Sequence, residues 1–209
     1  MGGRVEKPLL EISGKSMLQR VIEVLRSSNS IDRIVVASTR STPSTTAEAE
    51  KLGVQSIITP GDGFEEDMRF AIRHLSLADV LVISSDLPFV TVDVIKEALR
   101  KYRDAQKPAL AVMAPTKLYE SFGITPSYVF DINGRKLVPV GINIIDGGRI
   151  DEGALEQTEL IIDSGDVAFN INTPEELSAA RKKVAVVGGK EERPNHDCGA
   201  IFRRGQINR

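Results

Sequence analysis

The amino-acid sequence predicts an α/β domain of the doubly wound, mostly parallel kind, with its first strand missing. Three observations carry this expectation. Apolar runs of strand length recur along the chain, amphipathic stretches at helical spacing alternate with them, and a helix stands near the start with no strand ahead of it.

Taken in order, Met17, Leu18, Val21, Ile22 and Leu25 share one face of a helix expected over Ser16 to Leu25, and Arg33 to Ser38 reads as a buried strand. A helix from Ser44 to Leu52, stopped by Gly53, leads to a strand at Val54 to Thr59 and a helix from Phe64 to Leu75. Asp79 to Ser84 is then a strand, Val92 to Tyr102 a helix and Pro108 to Met113 a strand. Beyond Pro115 the texture changes, and Asn133-Gly134 between apolar residues signals a hairpin. Strands are expected at Pro139 to Ile145 and Val167 to Ile171. Thr173-Pro-Glu-Glu176 then opens a helix with a capping hydroxyl, Pro in its first turn and early acids. That helix is expected to end near Lys183, so the domain spans residues 1–183 and a flexible tail spans 184–209.

The irregularity lies at the start. A crossover helix joins two parallel strands, yet the helix at Ser16 has only about a dozen residues, largely polar or turn-forming, and no strand before it. In doubly wound sheets the first strand is usually central, and the loop after it holds phosphate against backbone amides. Met1-Gly-Gly-Arg4 reads as the stump of that loop, with Gly2 and Gly3 as its phosphate-contacting backbone.

Composition narrows the function. The chain has 209 residues, 41% hydrophobic and 27% charged, with net charge -2, which offers nucleic acid no electrostatic foothold. No apolar run approaches membrane-spanning length and no leader pattern opens the chain, so a cytoplasmic location without a membrane span is expected. One cysteine, Cys198, and two histidines exclude an internal disulfide and a Cys/His zinc cluster, leaving stability to the core.

The residues with chemical promise cluster at predicted strand ends. In Ser84-Ser-Asp-Leu-Pro88 the carboxylate of Asp86 follows an apolar strand, where open α/β sheets bind ligands, and it suits Mg²⁺; capping of the loop before Pro88 is the alternative. Asn170 and Asn172 end another predicted strand and could give a second oxygen, or merely satisfy backbone amides beside a helix start. Lys7, beside the glycines, could place a point charge on phosphates, although most lysines are solvated surface. In Thr59-Pro-Gly-Asp-Gly-Phe-Glu-Glu-Asp67, Gly61 and Gly63 would let backbone approach a base or ribose, or serve only as turn residues.

Together these pieces resemble a known family. Met1 to Leu10, Gly14 to Leu18, Ser84 to Pro88, Ala109 to Met113, Pro139 to Asn143 and Phe169-Asn-Ile-Asn-Thr-Pro174 look like the archaeal-type adenosylcobinamide-phosphate guanylyltransferases, within the Rossmann-like nucleotidyltransferase superfamily. The resemblance spans roughly Gly2 to Lys182. It implies transfer of GMP from GTP to a corrinoid phosphate, adenosylcobinamide phosphate, with release of pyrophosphate during cobalamin biosynthesis. By the family's pattern Asp86 would hold Mg²⁺ with Asn170 or Asn172 assisting, Asn170 being the favoured ligand, and Ser85 would border the nucleotide. Lys7 would meet the triphosphate, Gly61 to Asp67 would lie against guanine and ribose, and Gly141 and Asn143 would border the acceptor. A homodimer is one possible assembly. Molybdopterin guanylyltransferases and sugar-phosphate nucleotidyltransferases share the superfamily and are the alternative readings.

Family members begin with a strand and glycine loop of the type Ala-Leu-Ile-Met-Ala-Gly-Gly, then Gly-Thr-Arg-Met, and this chain starts at what corresponds to that methionine. Three readings follow. Met1 is an internal methionine of a longer protein; or the chain is a non-catalytic, degenerate copy; or Lys183-Val-Ala-Val-Val-Gly-Gly-Lys190 fills the gap from the other end. Asp86→Asn is expected to abolish metal-dependent transfer and barely change stability.

Overall fold

The structure is a computed structural model that describes residues 5–121, 124–126, 128–168 and 170–188. Gly2, Gly3 and residues 189–209 therefore lie outside the described residues, Cys198 among them.

The alternation expected from the sequence is present. After a short antiparallel hairpin, β1 (Glu11–Ile12) and β2 (Lys15–Ser16), helix α1 (Met17–Ser27) buries Met17, Leu18, Val21, Ile22 and Leu25. Its first turn is capped by Ser16, whose hydroxyl accepts from the Gln19 amide at 3.1 Å. Next come β3 (Val35–Thr39), α2 (Pro43–Lys51), β4 (Gln55–Thr59), α3 (Phe64–Leu75), β5 (Asp79–Ile83), α4 (Val92–Ala105) and β6 (Ala109–Pro115). A short helix α5 (Thr116–Ser121) precedes the hairpin of β7 (Phe130–Ile132) and β8 (Arg135–Asp146), whose turn residues Asn133 and Gly134 both take positive φ, 53° and 76°. That is the geometry for which Asn-Gly is suited.

Helices lie on both sides of the sheet. Pairing is mixed: β3 runs parallel to β4, and β6 parallel to β9 (Gln157–Ile161), but the long β8 lies antiparallel between β5 and β6. The largest apolar cluster packs α1 and α4 onto β6 and β8 through residues such as Val21, Ile95, Leu110, Val140 and Ile142. Each fully buried aliphatic side chain there contributes about 1.5–3 kcal/mol relative to exposure.

Among the described residues β3 pairs only with β4, and β5 only with β8. The free edges of β3 and β5 both border a cleft of about 990 Å³, walled by Leu18, Val21 and Ile22 of α1 and Ala71 and Ile72 of α3. The interrupted alternation in the sequence thus has its counterpart in an interrupted sheet.

Two expectations need correction. Val167 to Ile171 is not a strand: Gly165–Ala168 forms a helical turn, α6, whose entry is set by the Asp166 amide donating to the Ser164 hydroxyl at 3.3 Å. Val167 and Ile171 are apolar because they are buried, at 0% and 1% exposure, and not because they alternate in a sheet. The last helix, α7, covers Pro174–Gly188, so Val184 to Val187 continue it and do not form a strand in the cleft. No helix among the described residues is long and apolar enough to cross a membrane.

Gly141 links the fold to its site. It adopts φ +82° within β8, and a Cβ there would lie 3.2 Å from Cβ of Ser84, whose amide donates to the Gly141 carbonyl at 2.9 Å. Gly141→Ala is expected to destabilise the protein by about 1–3 kcal/mol, through left-handed strain and crowding of Ser84. Chemical denaturation checks this; an unchanged midpoint would contradict it.

Candidate active site

Three stretches far apart in sequence meet at the carboxyl end of β5. The turn after β5 carries Asp86. The segment before β1 carries Glu6 and Lys7, the latter in a 3-10 turn (Lys7–Leu9). The segment entering α7 carries Asn170 and Asn172. A small apolar cluster of Ile12, Met17, Ile171, Leu177 and Ala180 binds the second and third stretches together, and the Ile171 amide donates to the Asp86 carbonyl at 3.1 Å.

The α7 entry is a capping box. The Glu176 amide donates to the Thr173 hydroxyl at 3.1 Å, while the Glu176 carboxylate accepts from the amides of Asn172 and Thr173 at 2.6 and 2.9 Å. This fixes the backbone of Asn172 and aims its side chain toward Lys7. The Thr173-Pro-Glu-Glu176 signal thus sets a helix start and, through it, the site.

Asp86 is only 8% exposed and heavily bonded. Lys7 Nζ donates to its Oδ2 at 2.5 Å and to Asn172 Oδ1 at 2.7 Å, and the Ser84 hydroxyl donates to Oδ1 at 2.5 Å. With its amide nitrogen turned toward the carboxylate, as hydrogen bonding requires, Asn170 donates to both Asp86 oxygens at 2.9 and 2.7 Å. Asn170 therefore steadies the carboxylate as a donor, and the amide oxygen that faces the cation position belongs to Asn172. Of the two asparagines weighed as the metal's second ligand, Asn172 is the one whose oxygen accepts from the Lys7 ammonium. Buried Tyr119 lies close by; burial, and then the charge of Asp86, push its phenol up to about 12, so it stays neutral.

Asp86→Asn is therefore expected to cost some stability, where the sequence alone predicts almost no change, since a buried carboxylate with three donors is bonded into the fold as well as the site. Ser84 escaped notice because the pair Ser84-Ser85 does not reveal which hydroxyl turns toward Asp86. Both serines line the cleft beside β5.

Glu6 was also missed, and it positions Lys7. Its carboxylate accepts from the amides of Ser44 and Thr45 at 2.9 and 2.7 Å and from the Thr45 hydroxyl at 2.6 Å, at the start of α2. Desolvation tends to raise its pKa, but these hydrogen bonds outweigh it and the net shift is downward. A depressed carboxylate pKa stabilises the fold above the unfolded value, and that contribution fades as pH falls through the folded value. Glu6→Gln is therefore expected to lower the melting temperature slightly at neutral pH and not below the carboxylate range. Melting curves across pH check this, and a difference that grows on acidification would contradict it.

The remaining candidates fall into two places. In the α3 entry loop, Gly61 and Gly63 take φ +89° and +118°, and the Gly61 amide donates to Asp67 Oδ1 at 2.8 Å. The loop is thus braced by its own acid and rests near Thr39, at the carboxyl end of β3. Asn143 is half-buried within β8 opposite Val82 and Ala111, two residues beyond Gly141.

The cluster suits a small hard cation. An ammonium already sits between a carboxylate and an amide oxygen, the kind of donors Mg²⁺ takes. Among the described residues no group of three or more His, Cys, Asp or Glu is placed to hold a metal ion. A divalent ion here would have few protein ligands, leaving the others to substrate oxygens and water.

Comparison with known proteins identifies a family from the sequence and supports the fold from solved structures. Residues 1–133 match the MobA-like NTP transferase domain. The adenosylcobinamide-phosphate guanylyltransferase of Methanocaldococcus jannaschii is 32% identical over 190 residues, covering 86% of this chain and 89% of that protein. A 3-deoxy-manno-octulosonate cytidylyltransferase of Synechococcus elongatus is 31% identical over 110 residues, 51% of this chain and 44% of its own. In fold, CMP:2-keto-3-deoxy-manno-octonic acid synthetase complexed with CTP superposes with TM-score 0.68 at 17% identity, over 87% of this chain and 92% of its own. The molybdopterin-guanine dinucleotide biosynthesis protein A of Archaeoglobus fulgidus gives TM-score 0.58 at 17% identity, over 87% and 91%.

Proposed function

The chain belongs to the MobA-like NTP transferase family and is a nucleotidyltransferase, and from that premise we propose that it transfers GMP from GTP to the phosphate of adenosylcobinamide phosphate, releasing pyrophosphate. The observation that carries the reaction class is the meeting of Lys7, Asp86 and Asn172 at the end of β5. The acceptor rests on extent: likeness to the corrinoid guanylyltransferase runs through 86% of the chain, whereas likeness to the cytidylyltransferase stops at 51%.

In this reaction an oxygen of the acceptor phosphate attacks the α-phosphorus of GTP. The bond to the oxygen bridging the α- and β-phosphorus breaks, and pyrophosphate leaves with that oxygen. No covalent enzyme intermediate is needed, so the protein's task is to align two anions and offset charge gathering on the leaving group. Lys7 supplies a positive charge to the triphosphate. Asp86 and Asn172 would hold Mg²⁺, which when bound neutralises phosphate charge and orients the α-phosphorus. Asn170 and Ser84 keep the Asp86 carboxylate in one orientation, and Glu6 anchors the backbone from which Lys7 reaches. The loop over Gly61 to Asp67 borders the nucleoside, and Gly141 and Asn143 approach the acceptor side.

Incubation with GTP and, separately, adenosylcobinamide phosphate, molybdopterin or a sugar phosphate tests the acceptor. Pyrophosphate release is expected only with the corrinoid, and release only with another acceptor would overturn the assignment.

A further inference from the structure

The ammonium of Lys7 occupies the place a divalent ion would take. It lies 2.5 Å from Asp86 Oδ2 and 2.7 Å from Asn172 Oδ1. The other donors to Asp86, Ser84 and Asn170, are neutral, so the positive charge on this carboxylate within the cluster comes from Lys7. The ammonium and a divalent ion cannot share this seat between the two oxygens, so a metal can enter only if Lys7 turns away, and its three donors are then free for phosphate oxygens. Its side chain is 42% exposed, while its backbone is held next to Glu6, which is bonded to the start of α2. The freedom available to Lys7 is thus rotation of a flexible four-carbon side chain about a fixed root.

We propose that Lys7 is a resident counter-ion: it fills the divalent-cation position between Asp86 and Asn172 until a nucleotide arrives, then swings to the phosphates as the metal takes its place. Free divalent ions are thereby kept out, and metal and nucleotide load together. The swap costs little electrostatically, because each oxygen exchanges one cation for another and Lys7 exchanges one anion for another. The same geometry makes Asn172 the second protein oxygen for the metal. The placeholder itself rests on the bond pattern; only the identity of the anion that draws Lys7 away rests on the reading of the site as a nucleotidyl-transfer site.

The test uses Mn²⁺ as the probe, read by electron paramagnetic resonance without substrate. Wild-type protein is expected to bind Mn²⁺ weakly, Lys7→Met about tenfold or more tightly, and Lys7→Met/Asn172→Leu to lose that gain, with circular dichroism melts confirming that all three fold. Equal or weaker binding by Lys7→Met, or a gain that survives loss of Asn172, would overturn the proposal. In wild type, GTP is expected to restore Mn²⁺ binding. Should Lys7→Met gain the metal while GTP leaves wild type unchanged, the placeholder stands and the nucleotide reading fails.

Discussion

Replacing Asp86 by Asn is expected to lower kcat by about 100- to 1,000-fold, the range found when a preorganised charge-stabilising group is lost from an active site. The change removes a negative charge from the centre of the cluster. It also swaps an acceptor oxygen for an NH₂ group that faces the Lys7 ammonium or the Asn170 amide, both donors. Stability should fall by about 1–2 kcal/mol, because Lys7 is partly solvated and can turn to water while Ser84 and Asn170 lose one partner between them. Rates and denaturation measured on one preparation check both. Full activity, or complete unfolding, would show that Asp86 does not have the double role assigned to it.

The second large effect is expected for Lys7→Ala, through the substrate. Loss of the positive charge should lower kcat/KM for GTP by about 30-fold or more, equivalent to roughly 2 kcal/mol, with KM rising because the triphosphate loses a contact made on binding. Lys7→Arg should not restore it, since a planar guanidinium cannot copy the seat of an ammonium between Asp86 and Asn172. Steady-state kinetics with varied GTP check this, and an unchanged KM would place Lys7 away from the nucleotide.

Local periodicity revealed most of the fold because apolar spacing, caps and breakers agree: Phe64–Leu75 is the helix expected from its acids and its apolar face. Reading failed where burial imitates a strand, as at Val167 and Ile171, and where a strand is polar over most of its length, as at Gln157–Ile161 on a sheet edge, whose apolar residues come only at its end. The antiparallel placement of β8 between β5 and β6 depends on long-range pairing that periodicity does not encode.

The site divides in the same way. Asp86, Lys7 and the two asparagines could be singled out by residue type and position, but their roles could not be separated. Asn170 and Asn172 differ by two residues, and only the capping box of α7 and the bond from Ile171 to Asp86 determine that one amide donates to the carboxylate while the other turns its oxygen to Lys7. Glu6 looks like any exposed acid until α2 supplies amides for it.

The most direct test follows the phosphorus. With GTP labelled at the α-phosphate and adenosylcobinamide phosphate as acceptor, the label should move to the corrinoid as pyrophosphate appears in equal amount, and Asp86→Asn should move almost none. Label that remains with free nucleotide, or transfer of the γ-phosphate in its place, would contradict the assignment of this cluster to guanylyl transfer.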